Sequence, residues 1–189
     1  ALCEAACVVG ISSEAVSIRE IEKRVAEEGW SRNLIKPQPA AKKTGKTVAV
    51  VGSGPAGMAA AQQLTRAGHD VTLFEKNERA GGLLRFGIPD FKLEKRVIDR
   101  RLEQMEAEGL TIKTGVNIGV DISVAQLQEQ FDATVLTGGS EAPRDLPIPG
   151  RELTGIHFAM DFLAQQNRRV FGSEILPKNE ILAKGKHVV

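Results

Sequence analysis

The sequence predicts an α/β protein of Rossmann-like type, a doubly wound parallel sheet, on three observations. Val48-Ala49-Val50-Val51 is a buried-strand pattern. Gly52-Ser53-Gly54-Pro55-Ala56-Gly57 follows at once as G-x-G-x-x-G and opens a helical stretch. A second apolar run, Val71-Thr72-Leu73-Phe74, ends in Glu75, 23 residues beyond Gly52. Strand, glycines, helix, second strand and terminal acid, in that order, form the dinucleotide-binding fingerprint in the context it requires. Gly52 permits the tight turn, Gly54 lets the backbone approach a pyrophosphate, and Gly57 lets the helix pack close on the sheet. The first helical N–H groups and the positive end of the helix dipole then face the phosphates.

Glu75 suits a cofactor with a free ribose 2′-hydroxyl, because its carboxylate accepts that hydrogen bond and repels a 2′-phosphate. FAD or NAD is therefore expected in this turn rather than NADP. Gly81-Gly82 lies six residues beyond the acid. That pair resembles the second signature of flavoproteins with two dinucleotide folds, where backbone amides meet the FAD pyrophosphate. Ala61 and Gly68 fit the same extended pattern, which favours FAD.

The other elements follow in chain order. Ser17 and Glu20 make a capping box, with a staple from Val16 to Ile21, and start a helix that Gly29 should end. Residues 36–46, with two prolines, four lysines and a glycine, read as a linker. Leu93 to Glu108 reads as a charged amphipathic helix and Leu110 to Lys113 as a short strand. Asp121 to Gln130 is a further helix, and Phe131 to Thr137 a strand that runs into Gly138-Gly139. Pro143 to Gly150 carries three prolines and is an irregular loop. A helix follows near His157 to Gln166. At the end, Gly185-Lys186-His187-Val188-Val189 echoes Gly45 to Val51, as the first strand of a second dinucleotide fold would.

Composition sets outer limits. The 189 residues carry a net charge of +1, so nothing points to nucleic acid or an anionic membrane. No apolar run approaches the roughly 20 residues of a membrane span. Two cysteines cannot make a disulfide framework, which favours a reducing, cytoplasmic location. Cys3 and Cys7, at i and i+4, read either as small buried side chains on one helix face or as metal ligands. The three histidines are scattered without zinc spacing. Glu27-Glu28, Glu106/Glu108, Arg100-Arg101 and Arg168-Arg169 read as surface charge. No catalytic residue is expected from this chain.

Several segments together resemble the small (beta) subunit family of NADPH-dependent glutamate synthase. They are Cys3-Glu4-Ala5-Ala6-Cys7-Val8-Val9-Gly10-Ile11, Val48 to Gly57, and Gly81 to Pro89. Pro143 to Arg151 and His157 to Leu163 match as well. The same wider flavoprotein family holds the N-terminal part of dihydropyrimidine dehydrogenase and is related to adrenodoxin-reductase-like enzymes. The resemblance implies an FAD-binding domain over 47–183, preceded by a helical iron–sulfur arm at 1–35 and followed by the start of an NADPH-binding domain at 184–189. It implies that Gly52, Gly54, Pro55, Ala56 and Gly57 meet the FAD pyrophosphate and Glu75 the adenosine ribose, with Lys76 among the cofactor-binding residues. Gly82 and Leu83 then approach the pyrophosphate and flavin, and Val116 the adenine. Gly138 and Gly139 close the site, although many flavoproteins carry Ala-Thr-Gly where this chain has Thr137-Gly138-Gly139. Cys3 and Cys7 match two ligands of a [4Fe–4S] cluster, which takes four cysteines, so the others are expected upstream of Ala1. The implied whole enzyme passes electrons from NADPH through FAD and iron–sulfur clusters to a large (alpha) subunit for glutamate synthesis. A related reductase of the dihydropyrimidine dehydrogenase or ferredoxin-NADP type, an NAD-dependent dehydrogenase domain, and an inactive dinucleotide-binding fragment are the alternatives.

Overall fold

The computed structural model describes residues 1–173 and 180–188. The chain divides into two compact units, Ala1–Pro37 and Gln38–Val189. In the first unit, helix α1 (Leu2–Ala5) leads into a 3-10 turn at Val8–Ile11 and then helix α2 (Ile18–Ser31). Ser17 is the N-cap of α2, but its side chain makes no capping hydrogen bond. The helix also runs two residues past Gly29, the expected stop. Here the chain turns back, and Leu34 and Ile35 both donate to the Gly29 carbonyl. A Cβ at position 29 would stand 3.1 Å from Ile35 Cδ1, so this glycine serves packing rather than termination. None of residues 1–37 is buried.

The second unit begins with β1 (Thr47–Val51), α3 (Pro55–Arg66) and β2 (Asp70–Phe74). Next come α4 (Gly82–Phe86), α5 (Lys95–Ala107) and β3 (Thr111–Lys113). The described elements end with α6 (Val124–Gln130), β4 (Ala133–Leu136) and α7 (Ala159–Val170). The four strands lie in the order β3-β2-β1-β4, all parallel. The chain thus winds outward from β1 through β2 to β3, then crosses back to place β4 on the other side. The crevice between β1 and β4, where the winding reverses, is where open α/β sheets bind ligands.

Side-chain alternation explains the two layers of helices. Val48, Val50, Val71 and Leu73 point to one face and pack with Met58 and Ala61 of α3 and Met105 of α5. Ala49 and Phe74 point to the other, with Leu127 of α6 and Phe131, whose ring meets Phe74 edge-on. Each large apolar side chain so buried stabilises the fold by about 2 kcal/mol. The Rossmann-like, doubly wound parallel sheet is therefore as expected from the sequence.

Details differ from the expectation. From Gln38 onward the lysine-rich segment bonds into the sheet unit: Lys43 pairs with Asp70, and Thr44 donates its N–H to the Gly68 carbonyl at 2.9 Å. Helix α6 starts later than Asp121, because Ser123 and Gln126 form a reciprocal capping box. The local pattern does not predict the short α4. Residues 184–188 form a turn and coil rather than a strand. Residues 174–179 and Val189, which fall within the expected FAD-domain and NADPH-domain spans, lie outside the described residues.

Candidate functional site

At the carboxyl end of β1 the backbone turns sharply. Gly52 has φ of +100°, a conformation that L side chains rarely adopt. A Cβ there would meet Thr137 O at 2.6 Å, so the turn is pressed against the end of β4. A Cβ on Gly57 would stand 1.8 Å from Gly52 O and 2.7 Å from Thr137 Oγ1. Helix α3 therefore touches the strand end backbone to backbone. The Thr137 hydroxyl lies 2.8 Å from Val51 O and 2.9 Å from Gly52 O, which gives the threonine of the Thr-Gly-Gly triplet a bracing role.

The outward side of the same turn is open. Cβ atoms placed on Gly54, Gly138 or Gly139 would meet nothing within 4 Å. Gly54 is the N-cap of α3, with Pro55 in the first turn. Pro55 lacks an N–H, and those of Ala56 and Gly57 precede the first intrahelical bond, which Met58 makes to Gly54 O at 2.9 Å. These donors have no acceptor within the helix and, together with the helix dipole, suit a pyrophosphate. The second glycine pair closes one edge of it. Gly82, at φ of +51°, lies so close to the turn that a Cβ there would stand 2.7 Å from Gly54 Cα.

Glu75 sits beneath this surface, 5% exposed. Its Oε2 accepts from Ser53 N at 3.2 Å and from the Ser53 hydroxyl in a short bond. Its Oε1 accepts from Asn77 N at 2.8 Å and Asn77 Nδ2 at 2.7 Å. Ser53 Oγ in turn accepts from Gly81 N at 2.9 Å. One buried serine therefore links the first glycine turn, the acidic residue and the second glycine pair. Sequence reasoning passed over Ser53 because it occupies the free x position of G-x-G.

The remaining expected contacts lie around this centre. Val116 is half-buried and spends its N–H on Glu75 O at 2.9 Å. Lys76 is exposed and pairs with Glu141. Leu83 is 56% exposed beside Gly82, an apolar surface at the rim of the open space. In the first unit, Cys3 is exposed and Cys7 partly so, which rules out the reading of two buried cysteines on one helix face. Helix α1 ends at Ala5, so the two thiols do not share a helix. Backbone N–H groups, Val16's first and then those of Val9 and Gly10, hold the Cys7 thiol below its ordinary value despite an opposing desolvation. That favours the thiolate a metal needs. Two cysteines are half the set a four-iron cluster takes, and among the described residues no group of three or more metal-ligating side chains is assembled.

Two residues read as surface charge are not. Glu108 has a fully buried side chain that accepts from Arg66 Nη2 at 2.6 Å, Gln62 Nε2 at 3.1 Å and Gln38 N at 3.1 Å. Burial works against its charge, but these donors outweigh it and hold the carboxyl below its ordinary value. Arg168 of α7 donates to Asn77 Oδ1 and Glu78 Oε1, each at 3.1 Å, and stacks 4.8 Å over the Phe86 ring. Both partnerships span long sequence separations and are invisible to local pattern. Among the described residues, no helix is long and apolar enough to cross a membrane.

The comparisons agree with this geometry. Residues 50–100 match the family model of an NAD(P)-binding Rossmann-like domain. The chain is 56% identical over 190 residues to the glutamate synthase [NADPH] small chain of Mycobacterium tuberculosis, covering 99% of this chain and 39% of that protein. It is 48% identical to the corresponding small chain of Bacillus subtilis, covering 99% and 38%. Among solved structures, FprA of M. tuberculosis in complex with NADPH superposes with a TM-score of 0.59 at 29% identity, over 65% of this chain and 29% of that one. The chain spans about two fifths of the length of the small chains it matches. By these matches, the chain is similar over nearly its whole length to part of the glutamate synthase small chains.

Proposed function

We propose that this chain is the FAD-binding segment of a glutamate synthase small subunit, which carries electrons from NADPH through FAD and iron–sulfur clusters to a large subunit. The observation that carries the reading is the open space at the switch point between β1 and β4. Added Cβ atoms on Gly54, Gly138 and Gly139 would meet nothing within 4 Å there, and the first N–H groups of α3 have no partner within the helix. The turn 52–57 binds and orients a pyrophosphate, with Gly82 at its second edge. Glu75 lies beneath the ribose position, and its negative charge disfavours a 2′-phosphate, which supports FAD over NADP in this turn. Leu83 offers an apolar rim to the flavin end. Bound there, FAD would supply two-electron hydride acceptance and one-electron release, chemistry that belongs to the cofactor. Cys3 and Cys7 are proposed as cluster ligands in the whole subunit, and NADPH and the large subunit as its donor and partner.

The test is an ultraviolet–visible spectrum of the purified chain after incubation with excess FAD and desalting. Retained flavin absorbance supports the reading. A colourless chain that is instead stabilised against heat by NAD would replace it with an NAD-binding domain.

A further inference from the structure

Glu75 is saturated. A carboxylate offers about four lone-pair sites, and Ser53 N, Ser53 Oγ, Asn77 N and Asn77 Nδ2 supply four donors. A ribose hydroxyl can donate to Glu75 only if one of them leaves. Ser53 is fully buried, so its two donors are enclosed. The Asn77 backbone is pinned, since its carbonyl accepts from Gly115 N at 2.9 Å. The Asn77 side chain is only half-buried, and its amide bond to Glu75 is the one that can be exchanged without moving the main chain. Its other end is already held, because Asn77 Oδ1 accepts from Arg168 Nη2 at 3.1 Å. That bond also orients the amide, with oxygen toward the guanidinium and nitrogen toward the carboxylate.

We propose that the Asn77 side-chain amide holds, on Glu75 Oε1, the place the ribose 2′-hydroxyl takes, and that it swings away on its Arg168 contact when an adenosine ribose carrying that hydroxyl binds. Asn77 thereby sets how strongly the site reads the 2′-hydroxyl, since one charge-assisted bond is exchanged for another rather than gained. The inference rests on the dinucleotide reading of the glycine turn and adds the residue that tunes it. It also couples ribose binding to α7, which carries Arg168.

Calorimetric titration with ADP and 2′-deoxy-ADP tests this on the unaltered chain and on Asn77→Ala. The unaltered chain is expected to prefer ADP by less than about threefold. In Asn77→Ala nothing need be displaced, and the preference rises to about tenfold, the size of one charge-assisted hydrogen bond. An unchanged ratio in a folded variant overturns the inference alone. Should the variant not fold, the assigned Asn77 side-chain amide signal in the unaltered chain serves instead. It is expected to shift with ADP and to stay in place with 2′-deoxy-ADP, and an unmoved signal with ADP overturns the proposal. If the unaltered chain binds neither FAD nor ADP, the dinucleotide reading falls and takes this inference with it.

Discussion

At Gly57 an added Cβ would stand 1.8 Å from the Gly52 carbonyl oxygen, whereas at Gly54, three residues earlier in the same turn, it would meet nothing within 4 Å. One glycine is required by the protein's own packing and the other leaves room for something else. The G-x-G-x-x-G pattern does not distinguish them, because it records residue type and spacing but not what lies opposite. The inner side of the turn, with Gly52, Gly57 and Thr137, is a backbone-to-backbone contact between β1, α3 and β4. On the outer side, added Cβ atoms at Gly54, Gly138 and Gly139 would meet nothing within 4 Å. Close packing and open space therefore lie on opposite sides of one turn.

The largest effect is expected on the inner side. Gly57→Ala forces backbone apart and should cost about 3 kcal/mol, read as a lower urea midpoint, with or without ligand. A near-neutral result would remove the distinction between the two faces. Ser53→Ala probes the brace between them. Gly81 N–H loses its acceptor and Glu75 a donor, at about 1–2 kcal/mol in the same denaturation experiment.

The smallest effect sharpens the contrast from the opposite end of the strands. There Asp132 bonds to Lys46 Nζ at 2.8 Å and to Thr47 N at 2.8 Å. The Lys46 bond first, then those of Thr47, pull its carboxyl from 3.8 to about 2. Because the folded value is the lower one, this contribution is full above pH 3.8 and fades as the pH falls toward 2. Asp132→Asn should flatten the acid dependence of thermal melting within that window and leave binding at neutral pH unchanged. An unaltered slope would show that the bond does not act on stability.

Much of this was legible in the sequence because it is local. The strands β1 and β2 announce themselves by apolar runs, and the glycine turn by spacing between them. Where tertiary contact decides, the sequence was silent. Glu108 follows a charged helix and reads as solvated, yet Arg66, 42 residues away in the chain, pairs with its buried carboxylate. Gly29 reads as a helix stop, but Ile35 folding back onto it lets the helix continue. Asn77 and Arg168 stand 91 residues apart. The role of Glu75 was half legible. Its position predicted a ribose acceptor, while its enclosure by Ser53 and Asn77 depends on two loops meeting.

The measurement closest to the central claim is an FAD titration of Gly54→Ala beside the unaltered chain, with thermal melting of both as control. The added methyl meets no protein atom within 4 Å, and replacing glycine at a helix N-cap costs no more than about 1 kcal/mol. The account predicts melting that is nearly unchanged and FAD affinity reduced at least about tenfold, because the pyrophosphate needs the bare backbone there. Equal affinity with equal melting would mean that the open face of the turn does not hold the cofactor.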